Sequence, residues 1–566
     1  MMSARPNLER AIVNSALWAA AGDAVGWITE LVDGAGVRRR IGADRIREVV
    51  AWDRMIGGRN GVNVRLPAGT YSDDTQLRLS VSRSIRGNGV FDPEAFAKIE
   101  LTVWQNYALG AGRGSKAAAT NLSRSDTNWF SNFFRVKDLD YMAGGGNGAA
   151  MRVQPHAWAM RGEIEGLILD VARNSLVTHG AMHGLVGALL HALALNYAIA
   201  SGEVPQIRQL HEFLSAIEAL PEILGEDRQL SAFWLPAWEN EARGSLAEAL
   251  SAHLTEIHAD IDRIQPLVRV GDFSRYGEII EAIGAFEPNL RGSGSKTALA
   301  SCALAIIASE AGPEAAVIES ANTLMSDTDT IGTMVGAILG ATRDEQPTWE
   351  IQDREYIIRE AKRLAEIRHG ATTDGFAYPD VTTWMPPQTQ ADAVGVVDRA
   401  HLALAGLGEL TPVGTEYQTK DAIWQWMALP FGQTILAKRR PNPKRLNANL
   451  LPRGRVNHAP PSAPNAGPAV TSASQEQRQP RLPLNTEPLR SVVEAPSQNA
   501  PPRQRDARRP FTLDDLADEV IRSNFDPVIL GRNFNRVIFT YESTDMAVAF
   551  SSIIAKAQIT RLRKAK

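Results

Sequence analysis

The sequence predicts an all-α protein built around one large N-terminal domain, and three observations carry that reading. Apolar residues recur at helical spacing through most of residues 8–345. Strand-like alternation is scarce before residue 380. Beyond about residue 376 the character changes, with Pro379, Pro386 and Pro387 interrupting and a Trp-, Phe- and Leu-rich stretch at 422–435. A chain of 566 residues exceeds the size at which one core keeps growing, so two or more units are expected. A hydrophobic fraction of 44% supports a substantial core. The net charge of -4 carries no global signature for nucleic acid. The single cysteine, Cys302, lies in an apolar run, which excludes an intrachain disulfide framework and a multi-cysteine metal site. With no signal-like segment and no uninterrupted apolar span of membrane length, the expectation is a soluble cytoplasmic protein without membrane partners.

In chain order, Leu8, Ile12, Ala16, Ala19 and Ala20 place a helix over 8–27. It runs into Gly22-Asp23-Ala24-Val25-Gly26, small residues that let two helices approach closely, and Glu30 follows. Residues 37–52, with clustered arginines, read as loop or short strand. Tyr71-Ser72-Asp73-Asp74-Thr75-Gln76 then precedes Leu77, Leu79 and Val81, a helix as far as residue 85. Residues 91–107 read as helix, with Pro93 in the first turn, where a missing N–H does little harm. Gly110-Ala111-Gly112-Arg113-Gly114-Ser115 and Gly144-Gly145-Gly146-Asn147-Gly148-Ala149-Ala150-Met151-Arg152 are glycine-rich turns that can bring bare backbone to a ligand. Helical periodicity covers 167–200 around Thr178-His179-Gly180, 210–264 with a Trp-bearing insertion at 233–238, 297–311 and 313–325. The last of these feeds Ser326-Asp327-Thr328-Asp329-Thr330-Ile331-Gly332, directly ahead of the small apolar run 334–341.

Residues 451–510 hold twelve prolines, no aromatic residue and nine arginines against four acids. Such a segment buries too little apolar surface to offset ordering entropy, so it reads as a disordered basic linker. Thr512-Leu513-Asp514-Asp515 resembles a capping box opening a helix through Leu516, Val520 and Ile521. A second apolar block spans 537–554, and the chain closes on a basic tail at 561–566. The division is therefore a domain at 1–375, an appended element at 376–450, a linker at 451–510 and a small interaction module at 511–566. Nucleic acid is not indicated apart from the basic linker and tail.

The two acidic clusters lie some 250 residues apart, and each precedes a helix. An Asp, Ser or Thr N-cap explains either one alone. Two of them, with Glu30 after a glycine-rich helix end, point to one shared site. Ser72, Asp73, Asp74, Asp327, Asp329 and Thr330 form an all-oxygen set suited to Mg2+ or Mn2+, and a bridging carboxylate among them suggests two ions.

These residues carry a resemblance to the ADP-ribosylhydrolase (ADP-ribosylglycohydrolase) family, whose members include the dinitrogenase-reductase-activating glycohydrolases. Gly22 to Gly26 with Glu30, Ser72-Asp73-Asp74-Thr75, Gly146 to Arg152, Thr178-His179 and Asp327 to Ile331 appear in family order. The resemblance implies an ADP-ribosylglycohydrolase-like helical domain with a dinuclear magnesium or manganese centre. It implies release of ADP-ribose from N- or O-glycosyl conjugates on ADP-ribosylated protein. Asp73, Asp74 and the Ser72 hydroxyl are then expected on one ion, Asp327 and Thr330 on the other, with Asp329 bridging. Glu30 is the first candidate acid/base and Asp74 the second. Gly110 and Gly112, together with Gly144, Gly145, Gly146, Asn147 and Gly148, are expected to wrap the diphosphate and distal ribose, with His179 positioning substrate. The sequence departs from the family pattern where Ser72 replaces Thr, where Met325-Ser326 replaces a glycine pair, and where Gly144-Gly145 replace bulkier residues. The alternative reading is a catalytically silent ADP-ribose-binding or structural protein on the same fold.

Overall fold

The computed structural model describes residues 7–58, 61–137, 139–398, 401–453, 512–541 and 544–564. The described residues up to 453 form one compact unit, and those from 512 form a second. Most of the expected linker, 451–510, lies outside the described residues.

Helix α1 (Leu8–Thr29) is capped by the Asn7 side chain, which accepts the Arg10 amide at 3.3 Å. Every residue from Ala11 to Thr29 is buried, as expected of a helix apolar on all sides at the centre of a fold. Two helices, Leu8–Thr29 and Met182–Ser201, are long and apolar enough to cross a membrane, although the sequence was expected to hold no such span. Their apolar windows are 100% and 78% buried inside the protein, which makes them core helices.

Residues 37–41, expected as loop or strand, are instead the end of a short helix, Gly34–Ile41. Gly42 closes it in the left-handed conformation, its amide donating to the Arg38 carbonyl. Strands β1 (Trp52–Ile56) and β2 (Val62–Leu66) form an antiparallel ribbon. Helix α2 (Asp73–Ser84) follows directly on the first acidic cluster, and α3 (Arg113–Leu122) on the first glycine-rich turn. The periodicity across 167–200 is broken at 177–181 into α4 (Ile164–Leu176) and α5 (Met182–Ser201). Downstream come α6 (Leu246–Ile264), α7 (Gly294–Ile307), α8 (Pro313–Asn322) and α9 (Thr328–Ala341), the last opening at the second acidic cluster.

The backbones of α1 and α9 touch. A Cβ on Gly22 would stand 2.1 Å from the Gly332 carbonyl oxygen, and one on Gly26 would stand 2.4 Å from that of Thr328. On α9, Gly336 lies as close to Trp18 of α1. Only glycine permits this approach, and it sets the mouths of both acidic clusters side by side.

The helical expectation holds for the large domain, whereas the appended element is β. Its five strands, β3 (Val394–Val397), β4 (His401–Leu404), β5 (Gly408–Gln418), β6 (Ile423–Ala428) and β7 (Thr434–Arg439), form an antiparallel meander in sequence order. Strand β6 is buried along both faces for most of its length, which removes the alternation that would have marked it. The sheet shares the core of the helical domain. Asn106 donates to the Lys438 carbonyl at 2.6 Å. The buried Arg83, paired with Glu100 at 2.8 Å, also donates to Gln433 at 2.7 Å.

In the second unit, Thr512 and Asp515 form a reciprocal capping box at the start of α10 (Leu513–Arg522). With α11 (Pro527–Tyr541) and α12 (Thr544–Lys564) it encloses Leu516, Val520, Val537, Phe550 and Ile554.

The α1–α9 contact generates the first prediction. Gly22→Ala is expected to destabilise the protein by about 1–3 kcal/mol or more, because the added methyl meets backbone that cannot swing aside. Urea unfolding measures this, with Gly34→Ala, whose Cβ would meet nothing within 4 Å, as the control.

Candidate active site

Three separated stretches of chain meet at one cavity, and Asp23 is the tie between the first two. Its carboxylate, fully buried in α1, accepts the Ser72 amide at 2.9 Å, the Thr75 amide at 2.9 Å and the Thr75 hydroxyl at 2.6 Å. The start of α2 is thereby fixed to α1. The Ser72 hydroxyl accepts the Asp74 amide at 3.3 Å, an N-cap bond, while the Asp73 amide donates to the Leu109 carbonyl at 2.7 Å. The carboxylates of Asp73 and Asp74 are not used as caps, and Asp74 Oδ2 is buried without a partner.

On the facing helix, Asp327 occupies the N-cap position of α9, yet its side chain makes no capping bond. Asp329 Oδ1 accepts the Thr330 amide at 3.0 Å, and the Thr328 hydroxyl donates to the Gly26 carbonyl at 2.8 Å. Glu30 follows the last residue of α1. Arg54 approaches Glu30 Oε2 at 3.5 Å while stacking over Trp27 and Trp52, and Arg40 donates to the carbonyls of Ile28 and Glu30.

A cavity of about 350 Å³ gathers these groups, within the range of small-ligand sites. Glu30, Asp73, Asp74, Asp327, Asp329 and Thr330 line it, together with Gly110, Gly112, Gly144, Gly145, Gly146, Asn147, Gly148 and His179. Among the residues expected from the sequence, Ser72 does not line it, its hydroxyl serving the cap. A larger hollow of about 940 Å³ runs beside Asp380, Asp398 and Arg445 but holds none of the motif residues. Convergent chemistry, rather than volume, picks out the site.

The carboxylates are strongly perturbed. Burial pushes Glu30 up to about 7, with Arg54 opposing and Asp327 adding to the shift. Burial, followed by Glu30 and Asp23, pushes Asp73 up to about 8. Asp74 is driven well above the usual carboxylate range by burial and by Asp23 and Asp73; Asp329 rises likewise through burial, Glu30 and Asp327. Acids so placed repel one another unless a positive charge joins them. The donor atoms are all hard oxygens and one buried carboxylate oxygen is orphaned, so the residues fit a hard divalent cation such as Mg2+ or Mn2+.

The glycine-rich loop is shaped by residues around it. Arg152, wholly buried, donates to the carbonyls of Gly148 and Asn174, to the Asn174 side chain and to the Thr178 hydroxyl, all within 3.0 Å. Asn147 donates its amide to the Gly292 carbonyl, and Gly294 donates to that of Gly145. His179 Nδ1 lies 2.7 Å from the Thr178 hydroxyl, and burial, then Arg152, lowers the ring to about 3. The imidazole is therefore neutral. The Trp-bearing insertion, to which the sequence reading gave no role, supports this region: Trp238 donates to the Gly180 carbonyl at 2.7 Å and Trp234 to the Tyr141 hydroxyl at 2.8 Å. Asp23, Arg54, Arg152, Trp238 and Gly292 are site-building residues that the sequence reading did not assign. Asp23 and Arg152 stood inside the quoted motifs, so their position was the available signal.

The ADP-ribosylglycohydrolase family model matches residues 4–373. Among known proteins, the chain is 26% identical over 310 residues to ADP-ribosylhydrolase ARH3 of Xenopus tropicalis, covering 53% of this chain and 81% of that one. It is 25% identical over 330 residues to the uncharacterized protein YegU of Escherichia coli K12, covering 57% and 84%. A solved ADP-ribosylglycohydrolase-related protein complex aligns with 64% of this chain and 99% of its own at 20% identity and a TM-score of 0.40.

Two predictions follow from the geometry. Asp329→Asn removes one of the crowded buried charges, so the metal-free protein is expected to gain about 1 kcal/mol or more, while the stabilisation by added Mg2+ or Mn2+ shrinks. Thermal melting with and without each cation reads both effects. Met325, next to the second acidic cluster, holds a left-handed φ of 70°. Met325→Gly is expected to relieve that strain and raise stability by up to about 1 kcal/mol, measured the same way.

Proposed function

The chain belongs to the ADP-ribosylglycohydrolase family, and on that premise we propose that it is a metal-dependent hydrolase that removes ADP-ribose from modified protein side chains. The bond cut is the one at the anomeric carbon of the distal ribose, with water as acceptor and ADP-ribose as product. The family supports glycohydrolase activity on an ADP-ribosylated substrate. The observation that carries the finer reading is the convergence of Glu30 with Asp73, Asp74, Asp327 and Asp329 in one cavity walled by glycine backbone.

Asp73, Asp74, Asp327, Asp329 and Thr330 would hold the cation, in the two-ion arrangement the family pattern implies. When bound, Mg2+ or Mn2+ supplies positive charge that orients sugar hydroxyls and polarises water. The remaining steps belong to the protein's own groups. Gly112, Arg113, Gly114 and Ser115 bring the N-terminus of α3 to the cavity, where free amides favour a diphosphate. The bare backbone of Gly144 to Gly148 lets the nucleotide approach without side-chain obstruction. His179, held through Nδ1 at 2.7 Å from the Thr178 hydroxyl, presents a neutral imidazole to the cavity.

Glu30 is the acid/base. Its carboxyl sits at the cavity wall, held from one side by Arg54, and burial places it near 7, where both protonation states are accessible. It takes a proton from the attacking water or delivers one to the leaving group as positive charge builds at the anomeric carbon. Asp74 ranks behind it, since a carboxylate engaged by a cation is a weaker base.

Glu30→Gln is expected to lower turnover by about 10²–10⁴-fold while ADP-ribose binding persists. The assay is a panel of arginine- and serine-linked ADP-ribosyl proteins, with and without Mg2+ and Mn2+, read beside a binding titration of free ADP-ribose. Asp329→Ala hydrolysing at the normal rate would overturn the metal-dependent reading. Binding of ADP-ribose with no hydrolysis of any linkage would favour a silent binding protein.

A further inference from the structure

We propose that His183, His253 and Glu256 form a second metal site, distinct from the carboxylate cavity, that takes a zinc-class divalent cation and braces the glycine-rich loop. His183 is the second residue of α5, and His253 and Glu256 stand one turn apart on the same face of α6. One ligating atom from each lies within 4.8 Å of the other two. Glu256 Oε2 is 3.2 Å from His253 Nδ1 and 3.9 Å from His183 Nε2. Ligands about 2.0–2.1 Å from a tetrahedral zinc stand about 3.3 Å apart, so the His253–Glu256 pair already fits and His183 must close toward it.

The surrounding hydrogen bonds prepare these atoms for a cation. The Ser295 hydroxyl donates to the His183 carbonyl at 3.0 Å and lies 2.7 Å from His253 Nε2. A hydroxyl has one proton. The tautomer in which Ser295 accepts from His253 Nε2–H leaves Nδ1 as a lone pair 3.2 Å from Glu256 Oε2, and it is the form a cation would select. A cation between Nδ1 and Oε2 would satisfy both atoms. His183 Nδ1 is engaged in turn by the Ser293 hydroxyl at 3.0 Å, leaving Nε2 directed at Glu256. Lys296, itself paired with Asp260, holds the other oxygen of Glu256 at 2.6 Å and so fixes the orientation of Oε2.

Two imidazoles and one carboxylate, each with an outer partner, suit zinc and not the magnesium-type set of the cavity. The Glu256 and His183 side chains are 44% and 31% exposed, which gives the ion a route in and leaves room for water as a fourth ligand. The ion would tie α5 and α6 to the 292–296 segment, whose Gly292 and Gly294 hydrogen-bond Asn147 and Gly145. A Cβ on Gly145 would lie 3.1 Å from that of His183.

The test uses the full chain, stripped with chelator, reloaded with Zn2+ in excess Mg2+ and passed through a desalting column. One zinc per chain is expected to remain, with an X-ray absorption spectrum showing imidazole scattering and a nitrogen/oxygen shell at about 2.0 Å. His253→Gln and Glu256→Gln are expected to weaken binding by more than the about 10–100-fold that loss of an outer partner costs, while Asp329→Ala keeps the zinc. Circular dichroism checks that each variant is folded, and Glu256→Gln, at the more exposed position, stands in if His253→Gln is not. Failure of the wild type to retain zinc would overturn the site, as would loss of zinc in Asp329→Ala with retention in the folded His or Glu variants. Neither result bears on hydrolysis, so the two readings fail separately.

Discussion

The glycine-lined contact between α1 and α9 is the constraint on which the site depends. Two backbones approach to the point where a single methyl would strike a carbonyl oxygen at Gly22 or Gly26. That closeness places the Thr328 hydroxyl on the Gly26 carbonyl and so sets the first turn of α9 against the end of α1. Asp23, one residue beyond Gly22, then captures the start of α2 with three hydrogen bonds. One helix thus holds both acidic clusters. The distance between them in sequence is irrelevant once α1 is in place.

The arrangement works against the stability of the metal-free protein. Glu30, Asp73, Asp74 and Asp329 are all buried enough for their ionisation to be suppressed, and neighbouring acids raise each of them further. Helix capping does not account for the paired acids, since Ser72 supplies the cap of α2 and the Asp327 side chain caps nothing. Crowded charge that capping does not require is the mark of a site shaped by a ligand.

Much of this could be read from residue order, and the unread part has physical reasons. The large helical domain was legible because its helices carry long apolar periodicity. The motif residues were legible through their joint occurrence, since either acidic cluster alone reads as an ordinary N-cap. The β-meander was not: β6 is covered on both faces, so its signal was an apolar run of either type. The helix at Gly34–Ile41 was missed because three consecutive arginines hide its short buried side, Gly36 and Val37. Ser72 illustrates a limit of another kind. A hydroxyl before two acids serves equally as ligand or cap, and the structure shows this one accepting the Asp74 amide.

The supports of the glycine-rich loop were the least legible of all, for apart from Arg152 they come from residues the sequence reading gave no role. A loop of glycines has no side chains with which to fix its own shape, so its form must be imposed by neighbours. Arg152 holds Gly148, the 292–294 turn holds Asn147 and Gly145, and Tyr141 and Trp238 hold Gly180 beside Gly144. Each support is a hydrogen bond to a backbone atom, and a backbone atom leaves no trace in the sequence of the loop it belongs to. The exposed Met325 stands at the edge of the second cluster in a strained left-handed conformation. The carboxylate centre is thus fixed by α1, whereas the bare loop beside it takes its contour from Arg152, Tyr141 and Trp238, none of which lines the cavity.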